Sequence, residues 1–541
     1  MLAGSRRALP NLAAPNPLDT KEGPSTYWKR KRGSLRGRSR EAHSARPGSR
    51  EKRFCPHAGH RRKASLAVRY IQTLVNEQIR KWEQVHGVWT PSPARGPEDE
   101  PPPHPVIAMC PMLGSGSRLV AELLRLRTDY EIFGFKLIDK VAENMNIRKR
   151  LIDHLDQQGR SYVLNLIDGL LGGRHVEQSE YFRHLLEVLK VFVTQGGCIL
   201  LGRGAHFMVE KGMGIRVHIT ASPKKRIENM MRFYSIDEAE ARRRMETSDR
   251  ERAGFCATFY GKQLTDVDNF DLVINMDRLN PETAAACIMR TMELMCRERK
   301  PRRGIPRPAE DAAELVRRQV EKWDRRKDKG PKEMWGESAG EGTAVKRLPV
   351  VAVSPRFCSG SRLVAEALHT RLGYEIFGFR LIDKIAEDMN LSPRIVDRLD
   401  FHARSAIQSL IEGMLEGRRV GREDYFRSLV HVIRALIVQG GVVLLGRGSC
   451  FLLEEKEGLR VRLIAATDKR LENMKEFYGI EGRPALDRLL KGDKDRAEFT
   501  RQYYGVDLSD TTKFDLTVNM DRIAPVAAAE VIQRALEPLL V

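Results

Sequence analysis

The chain has 541 residues, 41% of them hydrophobic and 30% charged, the balance of a globular protein rather than of a membrane-embedded or disordered one. It has no run of ~18 apolar residues and no continuous apolar core near its N-terminus, so neither a transmembrane helix nor a secretory leader is expected. Eight scattered cysteines suit a reducing, cytoplasmic setting better than a disulfide framework, and the net charge of +21 is concentrated, because residues 1–63 alone carry +13.

Residues 1–63 are rich in Arg, Ser, Gly and Pro, with basic runs such as Lys29-Arg30-Lys31-Arg32 and Arg61-Arg62-Lys63. This composition predicts a disordered basic tail. It reads either as a solvated extension or as an arm for nucleic acid or another anionic surface, and nucleic acid is expected only through this tail. Cys55, His57 and His60 lack a second ligand pair, so no metal site is assigned. Helical spacing begins at Ala67–Gln84, ends near Trp82, and is followed by a linker up to residue 105.

From Val106 the chain contains a domain that it later repeats. Val106–Asp277 aligns with Val350–Asp521 without a gap, at a constant offset of 244 residues. This is the size of a whole domain, far beyond the ~20–50 residues of a solenoid repeat. The expected organisation is tail 1–63, helix and linker 64–105, domain 106–300, linker with a second helix 301–347, and domain 348–541. That second helix, Ala309–Arg325, carries Trp323 where the first carries Trp82, and both Trp are expected to dock their helix on the domain.

Each domain opens with an apolar strand, Val106–Met109 or Val350–Val353. A Gly/Ser loop and a helix follow, then a helical middle from Ile138 to about Thr194. Further apolar strands are predicted at Cys198–Leu201, Ile215–Ile219 and Leu272–Asn275, and at their equivalents, with a charged helical stretch before the last. Short all-apolar strands between helices predict an α/β fold with a parallel sheet covered on both faces. Each half owns a full set of strands and helices, so each is expected to fold alone.

Three motifs carry the chemistry. The first loop runs Gly114-Ser115-Gly116-Ser117-Arg118, and its partner runs Cys358-Ser359-Gly360-Ser361-Arg362. Small residues before a helix start let backbone N–H groups approach an anion, although a plain tight turn has the same composition. Ser117 and Ser361 stand where a P-loop has Lys, and Leu119 and Leu363 where it has its Mg²⁺-binding hydroxyl. The second motif, Gly202-Arg203-Gly204 with Gly446-Arg447-Gly448, puts an arginine at the carboxyl end of a parallel strand. It reads as a phosphate fork or as an arginine tying the loop to a carboxylate. The third, Asp249-x-x-Arg252 with Asp493-x-x-Arg496, lies in a charged helix with an aromatic tail. It reads as a solvated helix or as a mobile lid that brings arginine to a transferring phosphoryl group.

In this order, together with Arg226 and Arg470 and a Phe-Asp-Leu-x-x-Asn segment, these motifs resemble the cytidylate kinase-like family of P-loop nucleoside monophosphate kinases. The resemblance covers nearly all of each repeat and implies two tandem three-layer domains. It implies ATP as donor, Mg²⁺ with no identifiable protein ligand, and a nucleoside monophosphate or similar small phosphorylated acceptor. By the same resemblance Arg203 and Arg447 contact the monophosphate, Arg252 and Arg496 act from the lid, and Arg226 and Arg470 pack near the donor base. The chain departs from the pattern at the missing Lys, at Gly204 and Gly448 in place of Asp, and at Phe133-Gly134-Phe135, where relatives carry an acid. A catalytically weak or inactive nucleotide sensor or scaffold is therefore the alternative to an active phosphotransferase. Of the two loops, the first is expected to hold a triphosphate more tightly, because a Cβ, absent from Gly114 and present in Cys358, is unfavourable where φ > 0 or close phosphate approach is needed.

Overall fold

The computed structural model describes residues 77–82, 104–145, 148, 151, 179–297, 348–387 and 423–540. The basic tail, the second linker with Ala309–Arg325 and Trp323, and the centre of each helical middle section lie outside the described residues. Residues 77–82 are helical, and Trp82 is buried where its indole N–H donates to the Gly196 carbonyl at 3.0 Å and its ring meets Phe192 and Phe133 edge-on. The expected docking role holds for this Trp.

The first repeat runs β1 (Val106–Pro111), α1 (Ser117–Thr128), β2 (Glu131–Gly134), α2 (Phe135–Glu143), α3 (Ser179–Gln195), β3 (Cys198–Leu201), β4 (Gly214–Thr220), α4 (Pro223–Tyr234), α5 (Glu238–Phe255), β5 (Leu272–Asn275) and α6 (Pro281–Arg297). The second repeats the series as β6 (Val350–Pro355), α7 (Ser361–Leu372), β7 (Glu375–Gly378), α8 (Phe379–Glu387), α9 (Glu423–Gln439), β8 (Val442–Leu445), β9 (Gly458–Ile464), α10 (Thr467–Tyr478), α11 (Gly482–Tyr504), β10 (Leu516–Asn519) and α12 (Pro525–Leu540). Local signals set the helix starts. Ser222 accepts from Lys225 N–H with Pro223 just inside α4, and Asp237 accepts from Glu240 N–H at 2.8 Å to open α5.

Within each repeat all strand pairings are parallel, in the order β2-β3-β1-β4-β5 or β7-β8-β6-β9-β10. The two sets then join. β5 pairs antiparallel with β10, Thr517 opposite Val273, and a single ten-stranded sheet results. Reciprocal contacts close the joint. Arg522 reaches the buried Asp271 at 3.2 Å and the Gly214 carbonyl at 2.8 Å, and Arg278 reaches Asp515 at 3.0 Å and the Gly458 carbonyl at 2.8 Å. The repeats are thus related by an approximate twofold at the β5–β10 seam.

The core follows the seam. On one face of the sheet a single apolar cluster combines Val120, Leu124, Ala284 and Ile288 of the first repeat with Val364, Leu368, Ala528, Val531 and Ile532 of the second. Alanines near the starts of α6 and α12 let these helices approach closely, and Cys287 Sγ–H reaches the Val531 carbonyl at 3.8 Å. The repeats own complete sets of elements, yet they share this core.

Candidate phosphate-binding sites

The Gly/Ser loop leaves the carboxyl end of β1, and Gly202-Arg203-Gly204 leaves the carboxyl end of the adjacent parallel strand β3. The two loops are therefore neighbours, at the strand ends where ligands bind in open α/β sheets. A bond from Gly202 N–H to the Met109 carbonyl, 3.0 Å, fixes their separation, and Gly446 N–H to the Val353 carbonyl, 2.8 Å, does the same in the second repeat.

The loop is held from behind. Asn229 donates to the Gly114 carbonyl at 2.8 Å, and Arg226 donates to the Leu113 carbonyl at 2.7 Å. Turning the Leu113 carbonyl toward α4 directs the Gly114 N–H the other way, as a backbone nest for an anion requires, while the Ser115 N–H closes back on the Met112 carbonyl at 3.1 Å. Asn473 on the Cys358 carbonyl and Arg470 on the Phe357 carbonyl repeat the arrangement. Gly116 and Gly360, both left-handed, precede α1 and α7, and no side chain caps either helix start. Ser115 and Ser359 lie under the loops with hydroxyls that meet no hydrogen-bond partner among the described residues.

The first Gly of the loop is needed for its backbone. Gly114 has φ +82°, and a Cβ there would lie 2.5 Å from the Arg226 carbonyl oxygen. Cys358 adopts the same left-handed region at φ 63°, a conformation that disfavours an L-residue by about 1 kcal/mol. Its side chain packs beside Met474, Ala485 and Leu489.

Arg203 answers the question its sequence left open by doing what the carboxylate reading requires. Its Nε donates to Asp139 at 2.6 Å and its Nη2 to the other Asp139 oxygen at 2.5 Å, while its guanidinium lies over Phe135 and Phe255. Tyr181 donates to the same carboxylate at 2.7 Å. Arg447, Asp383, Tyr425, Phe379 and Phe499 repeat this constellation. Burial pulls the Arg203 pKa down, but the bond and charge of Asp139 outweigh it and leave the guanidinium more firmly protonated than usual. Burial first, and the Asp139 charge second, push the Tyr181 hydroxyl far above its ordinary range.

An acid does stand close after Phe133-Gly134-Phe135: Asp139, one helical turn into α2, is the one that Arg203 grips. Gly204 also gains a reason. A Cβ there would run into the ring of Tyr260, whose hydroxyl donates to the Arg203 carbonyl at 2.8 Å. Gly202, Arg203 and Gly204 are all left-handed, as are Gly446, Arg447 and Gly448. A non-Gly residue held there twice is a strained backbone feature of the kind that collects at functional sites.

The other predicted residues fall into three groups. Arg226 and Arg470 are buried buttresses. Arg226 forms a fork with both oxygens of Asp249 at 2.7 Å, and Arg470 bonds Asp493 at 2.5 Å, so both lie under the loop. Arg118 and Arg362 turn outward from their helices, Arg118 toward Phe233 and Arg362 to Glu366, so only their backbone belongs to the cradle. Arg496 lies over the loop residue Phe357, 4.8 Å from its ring, whereas Arg252 is turned in beside Cys110. The Nη1 of Arg252 is fully buried and meets no acceptor among the described residues. Burial pulls the pKa of both Arg252 and Arg496 below the ordinary guanidinium value.

A Mg²⁺ ion, implied by the resemblance, finds no direct ligand in these residues. Leu119 stands at the usual hydroxyl position, 47% exposed, and Asp139 and Asp249 are each taken up by an arginine fork.

Two comparisons bear on this arrangement. Cytidylate kinase of Sulfurisphaera tokodaii is 23% identical over 109 residues, covering 20% of this chain and 61% of the relative. Cytidylate kinase of Natronomonas pharaonis is 24% identical over 187 residues, covering 34% of this chain and 88% of the relative. A solved structure, of an uncharacterized protein from Eubacterium ventriosum, aligns over 36% of this chain and 99% of its own at 17% identity, with a TM-score of 0.29, too slight a likeness to carry weight. The model of the cytidylate kinase-like family matches residues 106–278 and again residues 350–522, the two segments that build the two loop-and-arginine sites. The chain belongs to the cytidylate kinase-like family, with two copies of the family domain in tandem.

Proposed function

We propose that the protein is an ATP-dependent phosphotransferase acting on a nucleoside monophosphate or a similar small phosphorylated acceptor. One observation carries the reading. In the first repeat a loop of backbone N–H groups at a helix start and the Arg203 fork leave the carboxyl ends of adjacent parallel strands, and Arg252 holds a buried nitrogen with no acceptor among the described residues. A buried guanidinium nitrogen without an acceptor is costly, and an anion is the partner that removes that cost.

In the reaction an anionic oxygen of the acceptor phosphate attacks the γ-phosphorus of ATP as the bond from that phosphorus to the bridging oxygen breaks, and ADP leaves. No base is required, because the attacking oxygen carries no proton. Arg203 orients the acceptor, exchanging part of its hold on Asp139, and Arg252 neutralises charge on the transferred group. Bound Mg²⁺ would neutralise nucleotide charge, and the residues identified supply it no ligand.

The test is turnover by the full chain with ATP and Mg²⁺ over a panel of CMP, UMP, dCMP and AMP, beside nucleotide calorimetry. Arg203→Ala with Arg447→Ala should lower turnover by about 10²-fold. A second reading, binding without turnover, is favoured by Ser117 and Ser361 in the Lys position and by the exposed Leu119. Binding without any product would select it, and absence of both would overturn the two readings together.

A further inference from the structure

The two sites share their arginine fork and differ beneath their lids. In the first repeat the space under α5 is lined by neutral groups. His218 is buried with Nδ1 2.8 Å from the Cys110 carbonyl, His206 and His218 both stack on Phe270, and Cys110 and Cys256 complete the lining. Arg252 has its Nη1 fully buried with no acceptor among the described residues, and its charge acts on Cys110, Cys256 and His218. Directly after Arg252, helix α5 passes into a π-helical turn at Cys256–Tyr260.

At the same places the second repeat has Ser354, Cys450, Arg462 and Thr500. Arg462 is 9% exposed, and its Nη1 donates to the Ser354 hydroxyl at 2.9 Å with its guanidinium over Phe514. Here α11 continues as a regular helix through Tyr504, and Arg496 lies elsewhere, over the ring of the loop residue Phe357 at 4.8 Å, with Nη1 on the Gly492 carbonyl at 3.2 Å. Two guanidinium ions repel strongly in a space of low polarity, so a pocket that already holds one does not admit a second.

We infer that Arg462 is a positioning residue that keeps the lid arginine Arg496 out over the second loop, making the second site the tighter one for a polyphosphate. In the first repeat His218 leaves the pocket open and Arg252 is stowed in it. A polyphosphate on the second loop meets Arg496 already in place, whereas on the first loop it must draw Arg252 out. This reverses the order that the loop residues Gly114 and Cys358 suggest by themselves. It rests on the phosphate reading of the two loops.

The experiment is calorimetry of the full-length protein with inorganic triphosphate, with hydrogen exchange at residues 113–118 and 357–362 to assign each site. The unmodified chain should show two sites, the tighter at 357–362. Arg462→His should weaken that site roughly tenfold, the size of one charge-assisted hydrogen bond, and Arg462→Lys should restore most of it. His218→Arg, the converse swap, should tighten the first site by a similar factor. A purely structural role for Arg462 does not predict that gain, and the gain remains readable if Arg462→His fails to fold. Unchanged affinities in both swaps, or a tighter first site in the unmodified chain, would overturn the inference while leaving the phosphate reading intact. No triphosphate binding by the unmodified chain would overturn both.

Discussion

Set side by side, the two repeats keep one thing constant and let another drift. The Arg–Asp–Tyr constellation is the same in both: Arg203, Asp139 and Tyr181 in one, Arg447, Asp383 and Tyr425 in the other, each with an aromatic ring on either side of the guanidinium. The space under the lid differs, with histidines and cysteines in the first repeat and an arginine in the second. A shared fold alone needs neither arrangement. The constant part therefore marks what both sites do, and the variable part marks how they differ in doing it.

The largest effect expected tests whether the halves are separable at all. The full set of elements in each half suggested that each folds alone. The seam argues otherwise, because cutting it exposes the β5 or β10 edge and the apolar faces of α6 and α12. Either half expressed alone should be insoluble or should pair with itself through the freed edge, and co-expressed halves should recover a soluble heterodimer. Sedimentation of the separate halves decides it. A folded monomeric half would mean that the shared core is a contact between independent domains.

The second prediction uses acid to read the variable pocket. Burial holds the His218 pKa at about 4, against an ordinary 6.5, with the Cys110 carbonyl only partly opposing it, and burial depresses His206 further. Folded His218 is therefore neutral at pH values where the unfolded chain already binds a proton. Its contribution is complete above pH 6.5 and is lost as pH falls toward 4, by on the order of 3 kcal/mol for His218 alone. Arg462 has its pKa lowered by burial to about 10 and stays charged throughout this range. Denaturant unfolding between pH 7 and pH 4 should show the slope, and His218→Gln should flatten it. An unaltered slope in that variant would place the acid sensitivity elsewhere.

Next in size is Asp139, which separates holding the fork from using it. Asp139→Asn keeps the shape and removes the charge that Arg203 grips. Stability should drop by about 1–3 kcal/mol, because a partly buried cation loses its counterion. If Arg203 serves phosphate, CMP affinity should rise in the same variant, since the guanidinium no longer has to leave a carboxylate. Lower stability together with unchanged or weaker CMP binding would make the Arg203–Asp139 pair purely structural.

Much of this was legible in the sequence, for identifiable reasons. The strands at Cys198–Leu201 and Leu272–Asn275 stand where all-apolar runs predicted them, because a sheet covered on both faces demands such runs. The short strand Glu131–Gly134 escaped notice, since its Glu and Gly break that pattern. Asp139 was overlooked because an acid within an amphipathic helix looks like a solvated position. Its repetition as Asp383 at the same offset of 244 was the available signal. The β5–β10 seam left no trace, because Leu272–Asn275 reads the same whether its far side meets another helix, solvent or a second copy. The unpartnered Arg252 nitrogen is likewise a property of surroundings, and composition does not encode it.

The smallest effect concerns a contact of the second loop that has no counterpart in the first. Arg356, just beyond β6, reaches across the seam to Asp268 at 2.6 Å, whereas Met112 and Thr512 occupy the matching positions. This bridge turns Arg356 toward the other repeat. The pair is partly exposed, with 39% of the Asp268 side chain accessible, so solvent screens most of its attraction. Asp268→Thr, which copies the first-repeat geometry, should change stability by only about 0.5 kcal/mol, and the change should vanish at high salt. Its clearer consequence is at the loop. Released from Asp268, Arg356 can turn to an anion bound on its own loop, so triphosphate affinity at 357–362 should rise severalfold at low salt and not at high salt. No change at low salt would mean that Arg356 stays in place without its partner and that the bridge records a seam contact alone. A loss of affinity would mean that Asp268 holds the second loop in its binding shape, and that one repeat supports the site of the other.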